Sequence, residues 1–285
     1  MTRCCEHHES MKSRWLLVAV AKALVSSPRR AQRLVLRLAA PLVDVQPSEE
    51  SVGFELCDVV VREYKKAVKA EGRFSFAISG GSMLKMLSNL EGETAVDWSK
   101  CVMGFVSHRC VALDDDGATI KKARPAFLDS WVARGLDVIA PTGTTNAEAE
   151  ADIYEAALRD KLDVVDGYPV FDLCLIGIGL DAHVGCIYPN IPDVESARVV
   201  VPITGVDGMG KLSTKLSLSI ATMLAAKRSV VACAGTSAKA PLGKAQAMVR
   251  ALEAAETPMS FPASALRDKA TWLLDEGSAA LLGIT

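Results

Sequence analysis

Apolar and polar positions change period repeatedly along this chain. Phe74–Ile78, Val102–Val106, Leu136–Ile139, Phe171–Ile176, Ser229–Cys233 and Ala270–Leu274 are short, mostly apolar runs. Such runs predict strands buried on both faces of a parallel sheet. Between them the spacing turns helical. Ser51 reads as the N-cap of a helix to about Ala70, with Phe54, Val60, Tyr64 and Val68 on one face. Further helices are predicted from near Met83, over Phe127–Ala133, from an Asn146 cap through Asp160, over Ala221–Ala226, from about Ser237 to Glu253 and over Gly277–Leu282, with a single turn at Pro262–Leu266. Two more strands lie near Arg198–Val201 and at Lys215–Ser219. The alternation predicts an α/β fold: a mostly parallel, doubly wound sheet with helices on both faces, Rossmann-like. Pro47 and Ser48 mark a break, and residues 46–285 contain neither a linker nor an internal repeat, so they read as one domain.

Residues 1–45 differ in character. Arg14, Lys22, Arg29, Arg30, Arg33 and Arg37 are interleaved with Leu, Val and Ala, and no acidic residue occurs from Met11 to Leu42. That composition matches an organelle transit peptide; the alternative is an N-terminal helix packed on the domain. The predicted address is therefore the cytoplasm or, with a transit peptide, a plastid or mitochondrion. A net charge of −2 argues against a phosphate-tracking nucleic-acid protein, and 5% aromatic residues argue against base-stacking platforms. The eight cysteines form no CxxC pair, which fits a reducing compartment without a zinc site. No apolar run reaches the length of a membrane span.

Candidate chemistry centres on Phe171 to Asn190, FDLCLIGIGLDAHVGCIYPN, where a buried strand opens into a Gly-rich loop carrying Asp181 and His183. In open α/β sheets ligands bind outside the carboxyl ends of the strands. Ser79-Gly80-Gly81-Ser82 also follows a strand and opens a helix, a place where backbone N–H groups can meet a phosphate. His108 and His183 are the domain's candidate bases near neutral pH. If residues 107–109 are extended, Ser107 and Arg109 share a face and His108 points away. Arg109 and Lys215 are cations at strand ends, suited to an anionic substrate. Asp114, Asp115 and Asp116 are adjacent in a polar loop; consecutive side chains do not converge on one ion, so a solvated loop is expected. A Cys186–His183 pair is weighed and disfavoured for want of an evident orienting Asn or Asp.

These segments, in this order over nearly all of residues 50–285, resemble the 6-phosphogluconolactonases, whose fold is shared with glucosamine-6-phosphate and ribose-5-phosphate isomerases. The family's SGGSTP turn appears as Ser79 to Leu84, its DER strand end as Ser107-His108-Arg109, and its FDLxLLGxGxDGHxAS(L/I)FP signature as Phe171 to Pro189. Its RxTLTLP segment appears as Lys215 to Ile220, its GxxKA turn as Gly235 to Ala240, and its ending as Pro262 to Leu266 followed by Trp272 to Asp275 and Ala279-Ala280. The resemblance implies a phosphorylated sugar lactone, 6-phosphoglucono-1,5-lactone, as substrate, with His183 as general base. Ser79, Gly80, Gly81, Ser82, Arg109, Asp181 and Lys215 would bind it, and backbone N–H groups around Gly177–Gly179 would steady the oxyanion. No cofactor or metal is required. The departures lie at the site: Ser107 and His108 replace the acids of DER, Ala118-Thr119 stand near the expected Ser-Asn, Ala182 precedes His183, Met83-Leu84 replace Thr-Pro, and Lys215 replaces an arginine. A second expectation therefore stands beside the first: a catalytically impaired lactonase-like protein serving as a binding or structural subunit of a larger assembly. A sugar-phosphate isomerase is disfavoured, because the signature around His183 is the lactonase one.

Overall fold

The structure, a computed structural model, describes residues 41–181, 183–206, 212–236 and 240–283. Most of the basic N-terminal segment thus lies outside the described residues. In chain order the elements are β1 (Leu42–Gln46), α1 (Glu49–Glu71), β2 (Phe74–Ile78), α2 (Ser82–Leu87), β3 (Cys101–Phe105), β4 (Ser107–Arg109), α3 (Thr119–Ala123), α4 (Asp129–Ala133), β5 (Asp137–Val138) and α5 (Ala147–Lys161). There follow β6 (Val164–Val165), β7 (Tyr168–Pro169), β8 (Leu173–Gly177), β9 (Val200–Val206), β10 (Leu212–Leu218), α6 (Ile220–Ala225), β11 (Arg228–Cys233), α7 (Gly243–Leu252), β12 (Ala270–Asp275) and α8 (Glu276–Ala279).

Seven strands form one sheet in the order β1-β12-β11-β8-β2-β3-β5, every neighbouring pair parallel. Its middle strand, β8, shows why the apolar run works. Cys174 and Ile176 belong to one hydrophobic core and Leu173 and Leu175 to the other, all four fully buried. Successive side chains point to opposite faces, so an unbroken apolar strand feeds two layers at once. On one side Val52, Leu56, Val59 and Val60 of α1 pack with the stacked Trp98–Trp131 pair, and on the other Ala151, Tyr154 and Leu158 of α5 pack with Phe171. This is the doubly wound arrangement that the pattern predicts. Residues 42–45, grouped above with the N-terminal extension, form most of the edge strand β1.

A second, antiparallel sheet stands apart, in the order β4-β10-β9. Residues 107–109, expected to close the strand before them, form a strand of their own here. Val106 is the crossing point: its N–H donates to Ile78 O at 2.8 Å and its carbonyl accepts from Leu218 N at 2.8 Å. Other boundaries shift for local reasons. Ser48 caps α1, and Ser51 is the residue whose N–H donates to the Ser48 Oγ at 3.1 Å. Helix α7 begins at Gly243, after Pro241, whose ring disfavours a preceding helical turn. Between α3 and α4 the chain widens into a π turn over Arg124–Leu128, where Pro125 has no N–H to give the regular ladder.

Glu150 on α5 is fully buried, yet it is well supplied with donors. Thr142 and Thr144 give it both their N–H groups and both their hydroxyls. Burial pushes this carboxyl up, but the hydrogen bonds from Thr144 and Thr142 outweigh it and hold it below the usual range. A depressed carboxyl stabilises the fold above its unfolded pKa and loses that contribution as pH falls through the folded one. Glu150→Gln is therefore expected to cost about 1–3 kcal/mol at pH 7 by urea unfolding. The gap between variant and wild type should close as pH drops below about 4.5.

Candidate functional site

The exit of β8 determines the site. After Gly177 the chain folds back on itself: Ile178 bridges Val184, Val184 bridges Ile187, and Gly179 N donates to His183 O at 3.0 Å. The fold-back brings the His183 ring over Gly179, where a Cβ would overlap Cε1 and Nδ1 of the imidazole. A side chain there would push the imidazole and the Asp181 carboxylate from these positions. Asp181, in the same loop, places Oδ1 2.6 Å from His183 Nδ1. A carboxylate accepts, so Nδ1 carries the proton and Nε2 keeps its lone pair. Asp181, expected among the substrate-binding residues, thus has its carboxylate on the imidazole.

The neighbouring exit, from β2, is tied to this one. Ser79 N donates to Leu175 O at 3.0 Å, and Ser79 Oγ accepts from Gly177 N at 3.0 Å. Gly81 takes a left-handed φ of 68°, and a Cβ on Gly80 would press on Thr119 at 3.2 Å. Helix α2 spans six residues, so the turn offers nearby backbone rather than a full-length helix dipole. A cleft of about 340 Å³ lies between the two exits. Ser79, Gly80, Gly81, Ser82 and His183 line it together with Ser107, Thr119, Gly179 and Lys244. The N–H groups of Gly177 and Gly179, expected to steady an oxyanion, are both engaged inside the protein, by Ser79 Oγ and His183 O.

The antiparallel sheet supplies the adjoining wall. Lys215 pairs with Arg109 and Ser217 with Ser107, and directly opposed residues share a face. That face abuts the His183 loop: Cys186 N donates to Ser217 Oγ at 3.1 Å, and Lys215 Nζ donates to the Tyr188 hydroxyl at 2.6 Å. The Tyr188 ring in turn lies 4.9 Å from the His183 ring. Arg109 and Lys215 stand beside the cleft rather than among its lining residues.

His108 faces the other way, as the alternation predicts, and is only 2% exposed. Ile120 N donates to its Nε2 at 3.2 Å, which leaves Nδ1–H to donate to Arg109 O at 2.6 Å. Burial pushes its pKa down, so it is a neutral structural ring and no substitute for a catalytic carboxylate. Asp114, Asp115 and Asp116 are exposed; Asp115 caps the turn at Gly117 and Asp116 pairs with Lys121 at 2.7 Å. Among the described residues no group of three His, Cys, Asp or Glu side chains is placed to hold a metal. Burial pushes the Cys186 thiol up, an inert setting.

Sequence reasoning missed Thr119, Tyr188 and Lys244. Lys244 had a readable signal: a cation in the first turn of α7 opposes the helix dipole, and local rules are broken most often at functional sites. Its ammonium donates to Ala234 O. Asp275 braces the same corner, accepting from Gly235 N at 2.7 Å and Ser278 N at 2.8 Å. Burial pushes its carboxyl up, but those hydrogen bonds and the Lys244 charge hold it below its usual range. Ala182 and Lys239 lie outside the described residues.

A family profile described as "Glucosamine-6-phosphate isomerases/6-phosphogluconolactonase" matches residues 47–274. A Synechocystis protein named 6-phosphogluconolactonase is 28% identical, over 83% of this chain and 96% of its own length. An Arabidopsis thaliana protein named 6-phosphogluconolactonase 3, chloroplastic, is 26% identical, over 84% of this chain and 75% of its own. Among solved structures, the 6-phosphogluconolactonase of Trypanosoma brucei superposes with a TM-score of 0.72 at 22% identity, covering 85% of this chain and 99% of that one. The superposition bears on fold alone.

The Gly179 constraint is directly testable. Gly179→Ala should move the imidazole off Asp181, and the Nδ1–H resonance of His183 in nitrogen-edited NMR should broaden or vanish. The melting temperature should change little, because the groups a methyl would displace, the His183 ring and the Asp181 carboxylate, belong to neither core.

Proposed function

The chain belongs to the family of glucosamine-6-phosphate isomerases and 6-phosphogluconolactonases, and on that premise we propose that it hydrolyses 6-phosphoglucono-1,5-lactone to 6-phosphogluconate, with His183 as general base. The observation that carries this reading is the Asp181–His183 contact of 2.6 Å at the rim of a cleft of sugar-phosphate size. The carboxylate fixes the imidazole tautomer and offsets its charge once protonated. Nε2 then removes a proton from water as that water adds to the lactone carbonyl. The same proton passes to the ring oxygen as the bond from carbonyl carbon to ring oxygen breaks. An activated ester needs little beyond an oriented water and a base.

Arg109, Lys215 and the Ser79–Ser82 turn are the groups we assign to the phosphate and ring oxygens. Lys215 contributes a point charge where the family pattern has a planar fork, so orientation has to come from its surroundings. The departures at Ser107 and His108 suggested an impaired subunit instead. That alternative is less well supported, because Asp181 gives the imidazole a carboxylate from within its own loop.

For location we favour a plastid, in view of the relative named chloroplastic and the acid-free basic run from Met11 to Leu42. Among the described residues no helix is long and apolar enough to cross a membrane. Microscopy of the full chain with a C-terminal fluorescent tag should show plastid fluorescence; a diffuse cytoplasmic signal counts against this address.

Purified protein mixed with freshly made lactone should open it well above the spontaneous rate. His183→Ala should abolish the acceleration, and Asp181→Asn should lower kcat by about 10²- to 10⁴-fold. A wild-type protein without acceleration, recovered in stoichiometric complex with a larger assembly, would establish the subunit reading in its place.

A further inference from the structure

We propose that Tyr188 is the positioning residue of this site, its hydroxyl fixing the Lys215 ammonium and its ring backing the His183 imidazole. The kinetic consequences rest on the lactonase reading; the contacts themselves do not.

Lys215 projects from β10 on a long stem, and an unheld lysine head samples many rotamers. Ordering such a side chain costs conformational entropy, so a defined ammonium needs an acceptor. Tyr188 supplies one at 2.6 Å. The ring also lies against the His183 imidazole, with centroids 4.9 Å apart and planes inclined by 39°. One side chain therefore touches the candidate base and the candidate cation, which come from different sheets.

The backbone holds Tyr188 in place. It follows the bridged turn of Val184 and Ile187, and Pro189 comes next. Asn190 then adopts a left-handed φ of 59°, and its N–H donates to Met259 O at 2.8 Å. A ring fixed at both flanks can transmit order to flexible neighbours, as supporting residues do in precise sites. The hydroxyl and the ring have separable duties, so two substitutions separate them. Tyr188→Phe keeps the ring and deletes the acceptor. Tyr188→Leu removes both.

The full-length protein is used for every measurement. In nitrogen-edited NMR the Lys215 ammonium should be visible in the wild type, protected from exchange by its acceptor, and lost in Tyr188→Phe. Calorimetric affinity for 6-phosphogluconate should fall about tenfold in Tyr188→Phe. Lys215→Met should weaken it at least as much, and the double variant should bind no worse than Lys215→Met alone. In lactone opening, Tyr188→Phe should raise KM with little change in kcat, whereas Tyr188→Leu should lower kcat as well. An unchanged ammonium signal in Tyr188→Phe, or additive losses in the double variant, overturns the hydroxyl's role. A Tyr188→Leu enzyme with wild-type kcat overturns the ring's role. Failure of the wild type to open lactone overturns the proposed function instead, and the ammonium spectrum still decides the case of Tyr188.

Discussion

The bond from Gly177 N to Ser79 Oγ, 3.0 Å long, couples the two strand exits on which the cleft depends. Strands β2 and β8 lie side by side in the parallel sheet, and their register carries Ile78 opposite Leu175. Beyond that point regular pairing stops and each chain must turn away. Ser79 extends the pairing by one more step on each side, through its N–H to Leu175 and its hydroxyl from Gly177. The Gly80–Gly81 turn and the His183 loop therefore diverge from a common origin, and the space between them is the cleft. Ser79 is only 6% exposed, so this staple works in a setting where an unmade hydrogen bond is costly.

From that origin the roles divide between the sheets. The parallel sheet contributes the imidazole and its carboxylate, both within one loop, so their geometry depends on few long-range contacts. The antiparallel sheet contributes Arg109 and Lys215, opposed in register and sharing one face. Ser217 fastens this wall to the loop by accepting from Cys186 N, and Gly185, at a φ of 60°, lets the backbone come close enough for that. A Cβ on Gly185 would collide with the Ser217 hydroxyl. Close approach of backbone to wall is thus a condition for bringing the cations and the imidazole together.

Much of this was legible beforehand, for identifiable reasons. The apolar run predicts Phe74–Ile78 to the residue because it ends abruptly at a Ser-Gly-Gly turn. Asn146 is legible as a cap because Asn just before a helical pattern has a task, and its side chain accepts from Glu148 N and Ala149 N. The orientation of His108 followed from strand alternation alone. What escaped reading was non-local. Nothing near Val106 announces that the chain changes sheets there, since that depends on pairing with Leu218, far along the sequence. The N–H groups of Gly177 and Gly179 looked available because their partners, a hydroxyl from another strand and a carbonyl across a fold-back, cannot be seen in a linear pattern. Tyr188 was visible as a residue, but its two contacts become meaningful only once the loop and β10 are adjacent.

The replacements at the site fit this division of labour. Ser107, in place of an acid, sits on the wall and not in the loop, so its loss of charge leaves the Asp181–His183 pair intact. Lys215, in place of an arginine, loses bidentate geometry, but the adjacent hydroxyl gives it a defined direction. His108, in place of a second acid, is withdrawn into the core and satisfied on both nitrogens. Each of these changes lies on the antiparallel wall. Within the loop Ala182 departs from the family's glycine as well, yet the 2.6 Å contact between the imidazole and its carboxylate is still made, so the pair does not depend on a glycine between its two members.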